Sequence, residues 1–212
     1  MRRPLPMFPL QSALLPGETL PLHIFEPRYS RLVQDCLGAP DPVFGVVLNS
    51  QGREVGGGDI RSDIGVLARI TDWAEDGPDQ YQLIALAGER IKVGRWLPDD
   101  PYPIAEAESW PDDPGPQVGP ERIGDVVDVI LTLYRRVADA AGGRIRPDAL
   151  AVDAETAEDP ARHLYALAAR VPMGQADRYA VLSAPTLAGR VDTLIDAVET
   201  VTAMVEFQLS DE

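Results

Sequence analysis

The feature that most constrains this chain is the proline spacing of residues 5–29, LPMFPLQSALLPGETLPLHIFEPRY. Leu5, Met7 and Leu10 are separated by Pro6 and Pro9. Proline has no backbone donor, so this first strand is expected at a sheet edge or at bulges. Leu14 and Leu15 run into Pro16-Gly17, which fits the two central positions of a type II turn. Thr19 to Phe25 is a second short strand, with Pro21 inside it. Glu26 then stands at or before a helix cap and Pro27 at the first helical position, where its missing N–H costs nothing. Tyr29, Leu32, Val33, Cys36 and Leu37 recur at helical spacing, and Gly38 closes the helix. A strand–turn–strand–helix unit is the expectation.

Further strands follow at Val43–Leu48, Ile64–Trp73, Tyr81–Ala87, Ile91–Trp96 and Ile104–Trp110. Gly88-Glu89-Arg90 reads as the turn joining the third and fourth of these. Gln51–Asp59 holds four glycines, but no GK[ST] follows and the next element is a strand, so it is a loop and not a phosphate cradle. Pro111–Pro120 has four prolines and two acids in ten residues and reads as an interdomain linker. Beyond it the period changes to 3.6. Ile123, Val126, Val127, Ile130, Leu133, Tyr134, Val137 and Ala141 form one stripe. Arg144–Glu158 is polar and loop-like, with room for a helical turn. Asp159-Pro160 caps a helix burying Leu164, Leu167, Ala168 and Val171. A short helix over Gln175–Ser183 buries Tyr179 and Leu182. Thr186–Leu209 is a last helix, about 35 Å long at ~1.5 Å per residue, and the spine of a bundle.

The net charge of −15 over 212 residues argues against nucleic acid and anionic membranes, which need clustered Lys and Arg. The apolar content of 45 % is that of a globular chain. Lys92 is the one lysine and Cys36 the one cysteine, so an internal disulfide and a thiolate zinc site are excluded. A reducing cytoplasm in a bacterium with GC-rich coding sequence suits this composition. Pro4, Pro6 and Pro9 interrupt any apolar leader, so no signal peptide is expected, and no apolar run approaches the ~20 residues that span a bilayer.

The order FPL then LLPGETLPLHIFEPRY resembles the opening of the Lon protease amino-terminal, or substrate-binding, domain. GVLARI, a DG loop, a strand ending in G-x-R and IKV follow in that family's order over residues 65–93. LAARVPMGQADRYAVLSAPTLAGRVDTLIDAV is similar to its helical part. The resemblance covers residues 5–209. It implies substrate recognition and weak self-association, within protein quality control. It does not imply ATP hydrolysis or peptide cleavage, because there is no GxxxxGK[ST] loop and Lys92, in a strand, makes no plausible Ser–Lys dyad. The cysteine-rich zinc domain of cereblon-like relatives is also missing.

No residue is assigned a catalytic, cofactor-binding or metal-binding role. His23 and His163 are the two histidines. His23 falls on a strand facing solvent or an edge, and His163 beside its helix's apolar stripe. Cys36 reads as a small core residue. Asp99-Asp100, Asp112-Asp113 and Asp211-Glu212 read as solvation. The motif residues Pro16, Gly17, Pro21, Glu26, Pro27, Arg28, Tyr29, Gly65, Gly88 and Arg90 read as fold determinants, with Glu26 and Arg28 weighed as ligand contacts and set below the structural reading.

The expected fold is α+β. Residues 1–112 form a mostly antiparallel β domain, a twisted sheet or pseudo-barrel with one helix, and residues 118–212 a helical bundle. The expected function is that of a stand-alone, non-enzymatic Lon-type domain without cofactor, binding unfolded or extended polypeptide by strand addition or in a cleft between the lobes. The alternatives are an adaptor docking on another protein such as a protease, and a small-molecule protein or enzyme using that cleft.

Overall fold

In a computed structural model the described residues are 3–50, 60–146 and 148–210. The chain divides between Pro111 and Asp112 into two compact units. The first holds β1 (Arg3–Leu10), β2 (Thr19–Ile24), α1 (Pro27–Leu37), β3 (Val43–Ser50), β4 (Ile60–Glu75), β5 (Tyr81–Trp96) and β6 (Ile104–Ser109). The second holds α2 (Pro120–Ala140), α3 (Ala154–Glu158), α4 (Pro160–Ala168), α5 (Gln175–Ser183) and α6 (Leu187–Ser210). The glycine-rich stretch Gln51–Asp59 and the Asp211-Glu212 pair lie outside the described residues.

The strand order is β2-β5-β4-β3-β1-β6, and β6 also pairs with β5. The last pairing closes β1, β3, β4, β5 and β6 into a ring, with β2 left as a flap on β5. All pairings are antiparallel except β1 with β3. Leu5, Met7, Val43, Val47, Ile91, Val93, Ala105 and Ala107 pack into one inner cluster. Phe8 has the opposite parity on β1 and turns to α1, its ring 4.3 Å from Tyr29 and 6.1 Å from Phe44.

The proline-rich β1 is therefore not an edge strand. It sits between β3 and β6, and the prolines are tolerated because its two halves have different partners. Arg3–Pro6 pair with β6 and Met7–Leu10 with β3. The Met7 N–H donates to Pro103 O at 2.8 Å, on the β6 side. By strand alternation Pro9 faces that side too, past the end of the β6 ladder, whereas Pro4 and Pro6 face the β3 side, before the first β1–β3 pair, Met7 with Gly45. Each missing donor thus falls outside the paired stretch on its side.

Residues 81–96 form one strand, not two. Gly88-Glu89-Arg90 is no turn: the β4–β5 register slips between Val66 and Ala68, opposite Arg90 and Ala87. This is a bulge, and it bends β5 so that Tyr81–Leu86 pair with β2 and Ile91–Trp96 with β6. α1 begins with Pro27 as expected, and its closing residue Gly38 has φ −75°, so this helix ends without a left-handed residue.

In the second unit α6 packs against α2, α4 and α5. Ion pairs Arg122–Asp192 and Arg136–Glu206 link α2 to α6 at both ends, so the two helices run in the same direction. Asp159 caps α4 by accepting from the Ala161 N–H at 2.9 Å. α5 buries Val181 and Leu182, while Tyr179 is only half-buried. The Pro-rich stretch 112–119 has no regular element, yet it is not free chain. Arg190 is fully buried and donates to both oxygens of Asp112, and the Asp113 N–H donates to Pro185 O at 2.8 Å. Asp112 is a counter-charge, not solvation. Asp99 likewise accepts from Arg61 Nη1 and Nη2, which holds its carboxyl below the usual range. Among the described residues no helix is long and apolar enough to cross a membrane.

Candidate functional site

The exposed feature with the most organised chemistry is the outward face of β2, β5 and β4. On β5, Tyr81, Leu83, Ala85 and Ala87 turn inward and are buried, leaving Gln82, Ile84 and Leu86 outward. Ile84 and Leu86 are 40 % and 45 % exposed. The register sets three cross-strand rows on this face. Leu86 lies opposite Thr19 and Arg69, Ile84 opposite Pro21 and Asp72, and Gln82 opposite His23 and Ala74. Outward apolar side chains from two strands thus sit side by side.

A groove of about 650 Å³ runs over the last two rows, lined by Pro21, His23, Asp72, Ala74, Gln82 and Ile84, with Leu22, Trp73 and Leu83 at its sides. Its lining holds no Lys or Arg. At one end Asp76 accepts from Gln82 Nε2 at 2.8 Å and lies 3.4 Å from His23 Nε2. Asp72 accepts the Trp73 N–H at 2.9 Å. Among the described residues no group of three or more His, Cys, Asp or Glu is placed to hold a metal ion. The site offers apolar contact, carboxylates and a strand edge.

The motif residues are dispersed. Gly17, at φ 87°, turns the chain after Pro16 and donates its N–H to Ala87 O at 2.8 Å, which anchors the start of β2. Glu26 gives α1 no side-chain cap and instead accepts from Arg28 Nε at 3.0 Å, while the Arg28 guanidinium lies 4.6 Å from the Tyr29 ring centre. A Cβ at Gly65 would stand 2.1 Å from Val46 O, and one at Gly88 3.2 Å from Leu67 O. Arg90 is buried, 4.2 Å from the Trp110 ring centre. Of the ten, Pro21 alone lines the groove. Ile84, Leu86 and Asp72 were not singled out by sequence reasoning. The available signal was the run YQLIALA, apolar at both parities although its outward face is not covered.

His23 lies exposed on β2, at the groove. His163 is half-buried on α4, and burial with nearby Arg170 lowers its pKa. A second exposed apolar set lies on the helical unit, with Val137 on α2 and Met204, Phe207 and Leu209 on α6.

Residues 4–200 match the family model described as the ATP-dependent protease La (LON) substrate-binding domain. The chain is 27 % identical over 157 residues to Lon protease 2 of Sorangium cellulosum, covering 69 % of this chain and 19 % of that protein. It thus spans about a fifth of that relative's length. Its fold is similar to a Lon N-terminal domain protein from Xanthomonas campestris, with TM-score 0.65 and 25 % identity over 92 % of this chain and 98 % of the other. It is also similar in fold to the N-terminal domain of the Mycobacterium avium complex Lon protease, with TM-score 0.62 and 14 % identity over 93 % and 98 % of the two chains. With a family model matched along nearly all of its length, the chain belongs to the LON substrate-binding domain family.

Proposed function

We propose that this protein holds protein substrates non-enzymatically, taking an unfolded or extended polypeptide segment on the outward face of β2, β5 and β4. The observation that carries the reading is the exposed apolar group of Pro21, Ile84 and Leu86 beside the outer edge of the terminal strand β2, in a chain whose family is described by substrate binding. A polypeptide that has lost its fold exposes the apolar side chains such a group can cover, each worth roughly 1.5–3 kcal/mol when fully buried. The groove's chemistry also suits weak, general capture: it has apolar surface and carboxylates but no built polar pocket for one small molecule.

The test is fluorescence anisotropy of a labelled, permanently unfolded protein titrated with this chain at two salt concentrations. Saturable binding supports the reading, and its salt dependence separates charge from apolar capture. A flat titration would remove it. The adaptor reading is favoured by a different observation, the exposed Val137, Met204, Phe207 and Leu209 at the ends of α2 and α6. A partner protein lost from pull-downs on Phe207→Ser, with unfolded-chain binding absent, would select it.

A further inference from the structure

We propose that the outer edge of β2 is a strand-addition site, where an extended client segment pairs its backbone with Thr19 and His23 and where Pro21 keeps that pairing reversible. This rests on the polypeptide-binding reading and states how the client is held.

The edge can be read residue by residue. The Ala87 N–H donates to Glu18 O at 2.9 Å, and Ala87 O accepts the Gly17 N–H at 2.8 Å, so Ala87 turns both backbone groups toward β2. Strand alternation makes Ala85, Leu83 and Tyr81 do the same, and their partners are Leu20, Leu22 and Ile24. Thr19, Pro21 and His23 then turn their backbone groups away from β5. β2 is terminal in the sheet, and among the described residues no strand pairs with that side. The edge presents donors at Thr19 and His23 and acceptors at Thr19, Pro21 and His23. Pro21 removes the middle donor. An edge strand with a complete ladder is a template for irreversible pairing and aggregation, and a proline there blunts it. Here the blunting is partial, which suits a site that must release what it captures.

The occupant follows from charge. Asp72 and Asp76 lie at the groove beside this edge, and its lining holds no Lys or Arg. The chain as a whole carries −15. A second copy would bring like charge to the edge, whereas an extended segment alternating apolar with basic residues would bring complementary charge.

The experiment uses the full chain, nitrogen-15 labelled, and a short labelled peptide of alternating valine and lysine. Binding is followed by anisotropy and backbone amide hydrogen exchange by nuclear magnetic resonance. Saturating peptide is expected to slow exchange at Thr19 and His23 about tenfold or more, with Leu20 and Leu22 unchanged because they already pair with β5. Pro21→Val restores the middle donor and is expected to tighten binding about threefold to tenfold, the value of one net hydrogen bond, with a newly protected amide at position 21. Peptide binding with unchanged Thr19 and His23 exchange and no gain in Pro21→Val would overturn edge pairing and leave the face-binding reading standing. No binding of the peptide or of unfolded protein would overturn both.

Discussion

Arg190 and Asp112, 78 residues apart, form an ion pair whose cation is fully enclosed: Arg190 is 0 % exposed, its Nη1 donating to Asp112 Oδ2 at 3.1 Å and its Nη2 to Oδ1. The guanidinium also lies 4.4 Å from the Tyr165 ring centre. The pair fastens the Pro-rich segment to α6, within the helical unit. Asp112→Ala leaves a buried charge uncompensated and should cost about 3 kcal/mol, read as a fall in Tm of roughly 10 °C or more. Combining Arg190→Met with Asp112→Leu should recover much of that loss. Equal melting of Asp112→Ala and wild type would show the pair to be idle.

The backbone of β4 passes so close to β3 at Gly65 that a methyl group would stand 2.1 Å from Val46 O. Gly65→Ala must push the two strands apart and should destabilise the β unit by about 2–3 kcal/mol in urea unfolding. Gly17→Ala meets no atom within 4 Å, but the residue holds φ 87°. Its cost should be about 1 kcal/mol, from backbone conformation alone.

Two buried groups predict an alkaline limit. Burial, with the Asp35 charge nearby, pushes the Cys36 thiol from 9.0 up to about 12, and Cys36 Sγ donates to Val43 O at 3.4 Å. Burial and donation to Asp35 raise the Tyr102 phenol from 10.0 to about 12. Both folded values lie above the unfolded ones, so their contribution is complete below pH 9 and is lost as pH rises toward 12. Cys36→Ala should flatten the onset near pH 9–10, and Tyr102→Phe the fall above pH 10, in urea midpoints measured against pH. Native Cys36 should also react with a thiol reagent only as fast as the unit opens.

Much of this architecture was legible because proline, glycine and the switch from a period of two to 3.6 punctuate the chain locally. What escaped was set by distant partners. Pro6 and Pro9 suggested an edge because sequence alone does not reveal that β1 divides its length between β3 and β6. Gly88 looked like a turn because a bulge and a turn both use glycine, and the choice depends on the β2 and β6 ladders. Asp112 looked like solvation because its partner comes 78 residues later. The groove was missed for a related reason: in YQLIALA, outward Ile84 and Leu86 are written in the same alphabet as inward Leu83 and Ala85.

Charge at the groove makes a separate prediction. Asp72→Asn with Asp76→Asn should weaken binding of a lysine-bearing peptide about threefold to tenfold at low salt and leave a neutral apolar peptide within twofold, since exposed charge pairs contribute under about 1 kcal/mol each. Equal losses for both peptides would mean that the carboxylates shape the groove and do not select its clients.

Capture of polypeptide on the outward face of β2, β5 and β4 is tested by titrating a labelled, permanently unfolded protein with the wild-type chain and with Ile84→Ser combined with Leu86→Ser. Both substituted residues are outward and exposed, so the variant should melt within about 1 kcal/mol of wild type. Saturable binding by the wild-type chain and at least a tenfold loss in the variant are expected. Equal binding by the two chains, or none by either, would contradict capture on this face.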